Sequence, residues 1–199
     1  RSRSTVECTL VLSRGGGLDE AVIRKLAGRG RHVEVLGEPS PRDGGHEPSA
    51  LQHAQEVALD ERFGALSAGG LVPTEVVFLW PLRPAHEAAT AARLAARAEL
   101  DAHALFHLTQ NLLRRASRAP TKFLWVYGSD GAGSAAPALA GMLRTIHQEQ
   151  PWIATKSVGI DVGASSADVA PLADALVREL SAPAAGSADV RIEAPSGAS

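Results

Sequence analysis

Several residue types are scarce in this sequence. One cysteine, Cys8, among 199 residues excludes an internal disulfide and any multi-cysteine zinc site. There is one tyrosine, Tyr127, and only three lysines, Lys25, Lys122 and Lys156, so chemistry that pairs a tyrosine with a lysine has few ways to be built. No apolar run approaches the roughly 20 residues of a membrane-spanning helix, and the opening RSRSTVEC lacks the apolar centre of a signal peptide. An excess of one charge is also missing. Twenty basic side chains against 22 acidic ones leave a net charge of -2, so neither nucleic acid nor an anionic membrane is offered a basic surface. The expectation is a protein of the reducing cytoplasm with no nucleic acid and no membrane among its partners.

What is present suits a folded α/β protein. Hydrophobic residues make up 45% and charged residues 21%, and the length suffices for one domain with a proper core. We expect that domain over residues 1–195, with 196–199 as a tail. The stretch Thr121–Asp161 sets the pattern. An apolar run, Phe123–Tyr127, reaches a Gly/Ser/Asp loop. Leu139, Met142, Leu143 and Ile146 then recur at helical spacing, Pro151 stops the helix, and Lys156–Asp161 reads as another strand. A strand, a helix and a strand in about forty residues is a βαβ unit. The remaining chain repeats the alternation. Thr5–Ser13, Arg31–Leu36 and Val76–Leu82 read as strands, and Leu18–Ala27, Ala50–Leu66 (core side Leu51, Ala54, Val57, Ala58, Phe63), Ala85–Arg115 and Asp168–Leu180 read as helices. Ser166 is a candidate cap for the last helix, Ser181–Ala188 reads as a linker, and Val190–Glu193 is a candidate terminal strand. The pattern predicts an open, mostly parallel, Rossmann-like sheet with helices on both faces. Leu105, Leu112, Leu124, Val126, Leu143 and Ile146 are its expected central core.

Four places could carry chemistry. After the first strand, Gly15, Gly16 and Gly17 run straight into Leu18, Asp19 and Glu20. A dinucleotide site needs glycines spaced through the turn so that backbone can approach pyrophosphate at a helix N-terminus. This turn is too short, its acids would repel phosphate, and Glu38 as a ribose-binding acid would have no cradle to serve, so we read it as a degenerate, tight βα turn. Gly131 and Gly133 open a G-x-G-x-x-A pattern, but no acid follows at the usual interval. With Ser129 and Asp130 they form a strand-end loop and are the remaining weak cofactor candidates. Tyr127 would need a lysine four residues on to lower its pKa, and position 131 is glycine. His103 and His107 lie four apart on one helix face near Gln110. Two ligands do not make a zinc site, so no metal is expected, and Cys8 reads as buried and inert. No catalytic residue and no cofactor are assigned.

The ordered set VVFLWPL, ALFHLTQNLLRRA, TKFLWVYGSDGAG and ALAGMLRTIHQEQPWIATKSVGID resembles the ketoreductase region of modular polyketide synthases, and within it the structural, non-catalytic subdomain. The residues that carry the resemblance are Leu79-Trp80, His107 with Gln110 and Leu112, Leu124–Tyr127, and then Gly141, Leu143, Arg144, Glu149, Pro151 and Asp161. It spans about residues 5 to 195. His147-Gln148-Glu149-Gln150 is a departure from the usual version of the motif before Pro151. The resemblance implies a truncated Rossmann-like fold without a cofactor site. Such a domain buttresses a catalytic ketoreductase subdomain and adjoins further domains of the same synthase. The alternative is a complete small NAD(P)-dependent reductase of the short-chain dehydrogenase type.

Overall fold

The structure, a computed structural model, describes residues 6–39, 48–82, 90–115, 119–128, 136–160, 169–183 and 188–192. Strands and helices alternate along the chain: β1 (Val6–Ser13), α1 (Gly17–Gly28), β2 (Val33–Gly37), α2 (Pro48–Gly69), β3 (Leu71–Phe78), α3 (Ala91–Arg115), β4 (Thr121–Gly128), α4 (Ala136–Glu149), β5 (Ile153–Ile160), α5 (Val169–Ser181) and β6 (Ala188–Ile192). The strands form one six-stranded sheet in the order β2-β1-β3-β4-β5-β6, and every neighbouring pair is parallel. This is the Rossmann-like α/β architecture expected from the alternation, with the terminal strand included. The chain steps from β1 to β2 on one side, then crosses to β3 on the other. That reversal is where open α/β sheets leave a crevice at the carboxyl ends of the strands.

Parallel strands covered on both faces are apolar along their whole length, and β4 shows the consequence. Phe123 and Trp125 point to one face, where Leu59 and Phe63 of α2, Leu105, Leu108 and Leu112 of α3, and Leu143 and Ile146 of α4 cover them. Leu124 and Val126 point to the other, against Val22 and Leu26 of α1 and Leu176 and Val177 of α5. The expected single central core is therefore two cores, one per sheet face, because successive strand side chains alternate. Val57 also departs from expectation. It is exposed on α2, whose buried stripe is Gln55, Leu59, Phe63 and Leu66.

Element ends shifted for identifiable reasons. The strand expected at Val76–Leu82 begins at Leu71 and ends at Phe78. Pro73 hid its start, since proline cannot donate to a ladder, and the register slips between Cys8 and Thr9 opposite it. Leu79 and Trp80 are fully buried yet belong to a turn, closed by the Leu82 N–H on the Leu79 carbonyl at 2.9 Å. Their apolar character reports burial rather than strand. β5 starts three residues before the expected Lys156, and β6 begins at Ala188, inside the expected linker. α2 runs past Leu66 to Gly69, and Gly70, at φ 72°, then turns the chain into β3. Gly30, at φ 74°, ends α1 in the same way: its N–H meets the Ala27 carbonyl while Arg31 N–H meets that of Leu26. The expected start of the long helix at Ala85, the candidate cap of the last helix at Ser166 and the strand end at Asp161 lie outside the described residues.

Candidate functional site

The crevice at the reversal is floored by the β1–α1 turn. Gly15 and Gly16 adopt φ 82° and 117°, a region that L side chains avoid. They let the chain fold back so that Asp19, in the first turn of α1, faces inward with 5% of its surface exposed. Asp19 Oδ2 accepts the Ser13 hydroxyl at 2.8 Å and the Arg14 backbone N–H at 2.8 Å, and the Ser13 Oγ in turn accepts the Gly15 N–H at 2.9 Å. Burial pushes the Asp19 carboxyl above the usual range, against hydrogen bonds from Ser13, Arg14 and Gly15 that pull it down. Beside it Arg14 Nε pairs with Glu38 Oε2 at 2.7 Å, bridging the ends of β1 and β2. The Trp80 indole N–H reaches the Ser13 carbonyl at 3.2 Å.

The donors that a turn of this kind would aim at a phosphate are thus aimed at the chain's own carboxylate. The sequence suggests acids that would repel an anion from the helix end. The structure makes the point more specific, since Asp19 occupies the turn. Glu38, the candidate ribose acid, is held by Arg14. Ser13 did not stand out in the sequence, and Trp80 counted there only as part of a strand and of the family resemblance; a hydroxyl at a strand end followed six residues later by an acid was the available signal.

The other candidates separate. Ser129, Asp130, Gly131 and Gly133 lie outside the described residues. Tyr127 is half-buried, its ring 5.0 Å from that of Trp125 and its hydroxyl 3.0 Å from where a Cβ at Gly159 would be. Burial and the nearby Asp189 push its phenol up, the wrong direction for a proton donor at neutral pH. No lysine serves it. Lys122 donates to the Leu180 and Ala182 carbonyls at 3.1 Å each, Lys156 meets the Glu179 carboxylate at 2.9 Å, and Lys25 pairs with Asp174 at 2.7 Å. All three lysines hold α5, on the sheet face opposite Tyr127. A pocket of about 100 Å³ lined by Lys122, Lys156, Leu180 and Pro183 lies at the amino ends of β4 and β5, away from the crevice.

His103 and His107 bring their Nε2 atoms to 3.2 Å on the half-buried side of α3 facing α2, rather than on an open polar face. Among the described residues no group of three or more His, Cys, Asp or Glu side chains is placed to hold a metal. Cys8 is buried, and burial pushes its thiol up to about 11, which disfavours the thiolate at neutral pH.

The fold is that of short-chain dehydrogenases and reductases. The chain superposes on a family oxidoreductase from Brucella ovis, solved with a partially ordered NAD, with TM-score 0.66 and 16% identity over 94% of this chain and 100% of that one. A citronellol catabolism dehydrogenase of Pseudomonas aeruginosa matches with TM-score 0.66 and 14% identity, over 94% and 93% of the two chains. An N-terminal ketoreductase from a macrolactin assembly line matches with TM-score 0.61 and 14% identity, over 96% of this chain but 39% of that chain. No curated protein matches at a significant level. A family model does: residues 30–179 fit the beta-ketoacyl synthase-like, N-terminal family, and the chain belongs to it. Among the described residues no helix is long and apolar enough to cross a membrane.

Proposed function

We propose that the chain is a non-catalytic structural domain of a polyketide synthase, the structural subdomain of a ketoreductase region, which stabilises a catalytic ketoreductase subdomain and the architecture around it. The observation that carries this reading is the occupied β1–α1 turn. A reductase of this fold must seat a dinucleotide phosphate there, and Asp19 already takes the Ser13 hydroxyl and the Arg14 N–H. The absence of a lysine near Tyr127 agrees with it. Membership of the ketoacyl synthase-like family and coverage of 39% of the macrolactin ketoreductase chain support a part of a larger assembly over a free enzyme. α3 offers a place to dock: Phe106 and Leu113, seven residues apart and so on one side of the helix, are 47% and 42% exposed. Neighbouring domains of the same synthase are the further partners, and the cytoplasm is the proposed location.

The second reading, a small NAD(P)-dependent reductase, draws on the end-to-end match to the Brucella ovis enzyme. Calorimetric titration of NADPH and NADH into the chain separates the two. The structural reading expects no saturable heat. Micromolar binding that Asp19→Ala leaves unchanged would favour the enzyme.

A further inference from the structure

The pocket at the amino ends of β4 and β5 is lined by groups whose only role so far is to hold α5. Lys122 and Leu124 of β4 share one sheet face with Ala154 and Lys156 of β5, because Lys122 pairs with Ala154 and Leu124 with Lys156 in the parallel register. The two lysines thus stand diagonally across a four-residue patch in which Ala154 is the smallest side chain. Leu180 and Pro183, at the end of α5, complete the wall around a space of about 100 Å³. A cavity of about 150 Å³ takes the six carbons of benzene, so this one suits about four or five non-hydrogen atoms. An ammonium has three donors. Lys122 Nζ directs two at the Leu180 and Ala182 carbonyls, 3.1 Å each, and Lys156 Nζ directs two at the Glu179 carbonyl and carboxylate, at 3.0 and 2.9 Å. Each keeps a third donor for which no acceptor stands among the described residues. The charges here do not cancel either. Arg31 pairs at 3.1 Å with the buried Glu75, the register partner of Lys122, and Lys156 pairs with Glu179, so three cations meet two carboxylates. The Lys156 side chain is only 18% exposed, a setting in which an unbalanced charge is costly.

We propose that this pocket binds one short-chain monocarboxylate. Its carboxylate accepts the remaining N–H of Lys122 and of Lys156, and its few carbons lie against Leu124, Ala154, Leu180 and Pro183. One anion matches the one positive charge left over, and hydrogen bonds between an ammonium and a carboxylate are among the strong ones. A neutral molecule of the same size would leave that charge unbalanced, and inorganic phosphate would bring no carbon for the apolar wall. Glu179, with 30% of its side chain exposed, and the exposed Pro183 leave the pocket open to solvent on the α5 side. The bound acid ties β4 and β5 to the end of α5. This lies at the opposite end of the strands from the β1–α1 turn, so the proposal does not rest on the structural reading of that turn.

The test is a titration of the whole chain with propionate and with its neutral isostere propionamide, at fixed ionic strength, followed by amide chemical shifts and thermal melting. Propionate should give saturable shifts at Lys122, Ala154 and Lys156 and raise the melting temperature. Propionamide should bind about tenfold more weakly or worse, since it lacks the charge that strengthens both bonds. Lys122→Met and Lys156→Met should each weaken propionate binding by about tenfold or more. Ala154→Leu, which fills the space and touches no charge, should abolish it. Lys25→Met, at the lysine that pairs with Asp174 on the flank of α5 outside the pocket, should leave it unchanged. No saturable binding of propionate, equal binding of propionate and propionamide, or binding that survives Ala154→Leu overturns the proposal. If a lysine substitution unfolds the chain, the propionamide comparison on the parent decides.

Discussion

Asp19 is buried in a turn that supplies it with a hydroxyl and a backbone donor, and both act on the same oxygen. An asparagine can place its own oxygen there and keep both bonds without burying a charge. Asp19→Asn should therefore fold at least as stably as the parent at pH 7, whereas Asp19→Ala, which orphans Ser13 and Arg14, should cost about 1–3 kcal/mol. The pH dependence has a definite sign. Burial raises the carboxyl above its usual value in the folded chain, so the folded state holds this proton more tightly than the unfolded one. Below the unfolded pKa the two states are protonated alike. As pH rises from there through the folded pKa, the unfolded chain ionises first and stability falls. Relative to Asp19→Asn, the parent should lose stability in denaturant melts as pH rises from below the ordinary carboxylate range; a relative gain would contradict the burial argument. Gly159 makes a second residue-scale case. A Cβ there would meet Tyr127 at 3.0–3.1 Å, so Gly159→Ala should destabilise by about 1–3 kcal/mol, and by less when Tyr127 is first replaced by leucine.

α5 shows how an element is held by residues that the sequence makes rare. Its carboxyl end receives the ammonium groups of Lys122 from β4 and Lys156 from β5, and Lys25 of α1 pairs with Asp174 on its flank. Cations at the last carbonyls complement both unpaired acceptors and the helix dipole. Replacing Lys122 by methionine keeps the stem and removes the donor, and should cost about 1–2 kcal/mol. Amide exchange should rise first in residues 176–181; uniform exchange would mean that the lysine is incidental. Leu143→Ala, at a helix residue fully enclosed against β5, should cost about 2–5 kcal/mol; a loss below about 1 kcal/mol would misplace the buried face of α4. Much at this scale was legible. Helical spacing at Leu139, Leu143 and Ile146 gave the right face of α4, and the apolar run Phe123–Tyr127 gave a buried strand. What stayed hidden had a tertiary cause. Pro73 masked the start of β3, and Leu79-Trp80 imitated strand because a turn can be buried too. Likewise the inward turn of Asp19 depends on two glycine conformations that no periodicity reports. Gln55 took the core position that hydropathy assigned to Val57.

At the scale of the molecule, the two faces of the sheet are covered, and the donors of the β1–α1 turn are taken by Asp19. Ketone reduction needs a hydride donor held against the carbonyl and an acid to protonate the forming alkoxide. The first requires phosphate at the β1–α1 turn, which Asp19 occupies. The second requires a tuned acid, and Tyr127 has its phenol pushed up with every lysine on the opposite face. Proton transfer alone contributes about 10²–10⁴ in rate, so on the proposed reading the isolated chain reduces no β-keto substrate at a useful rate. Its effect should appear in a mixture with the catalytic ketoreductase subdomain of the same synthase. There binding to the folded form raises the partner's melting temperature by mass action. Phe106 and Leu113 offer the apolar surface for that contact. Changing both to aspartate should leave the melting of the isolated chain within about 0.5 kcal/mol of the parent, as exposed positions do, while abolishing the partner's gain. Partner stabilisation that survives the double substitution would move the docking face elsewhere on the molecule. NADPH consumption by the chain alone, lost in Tyr127→Phe, would make it an enzyme after all.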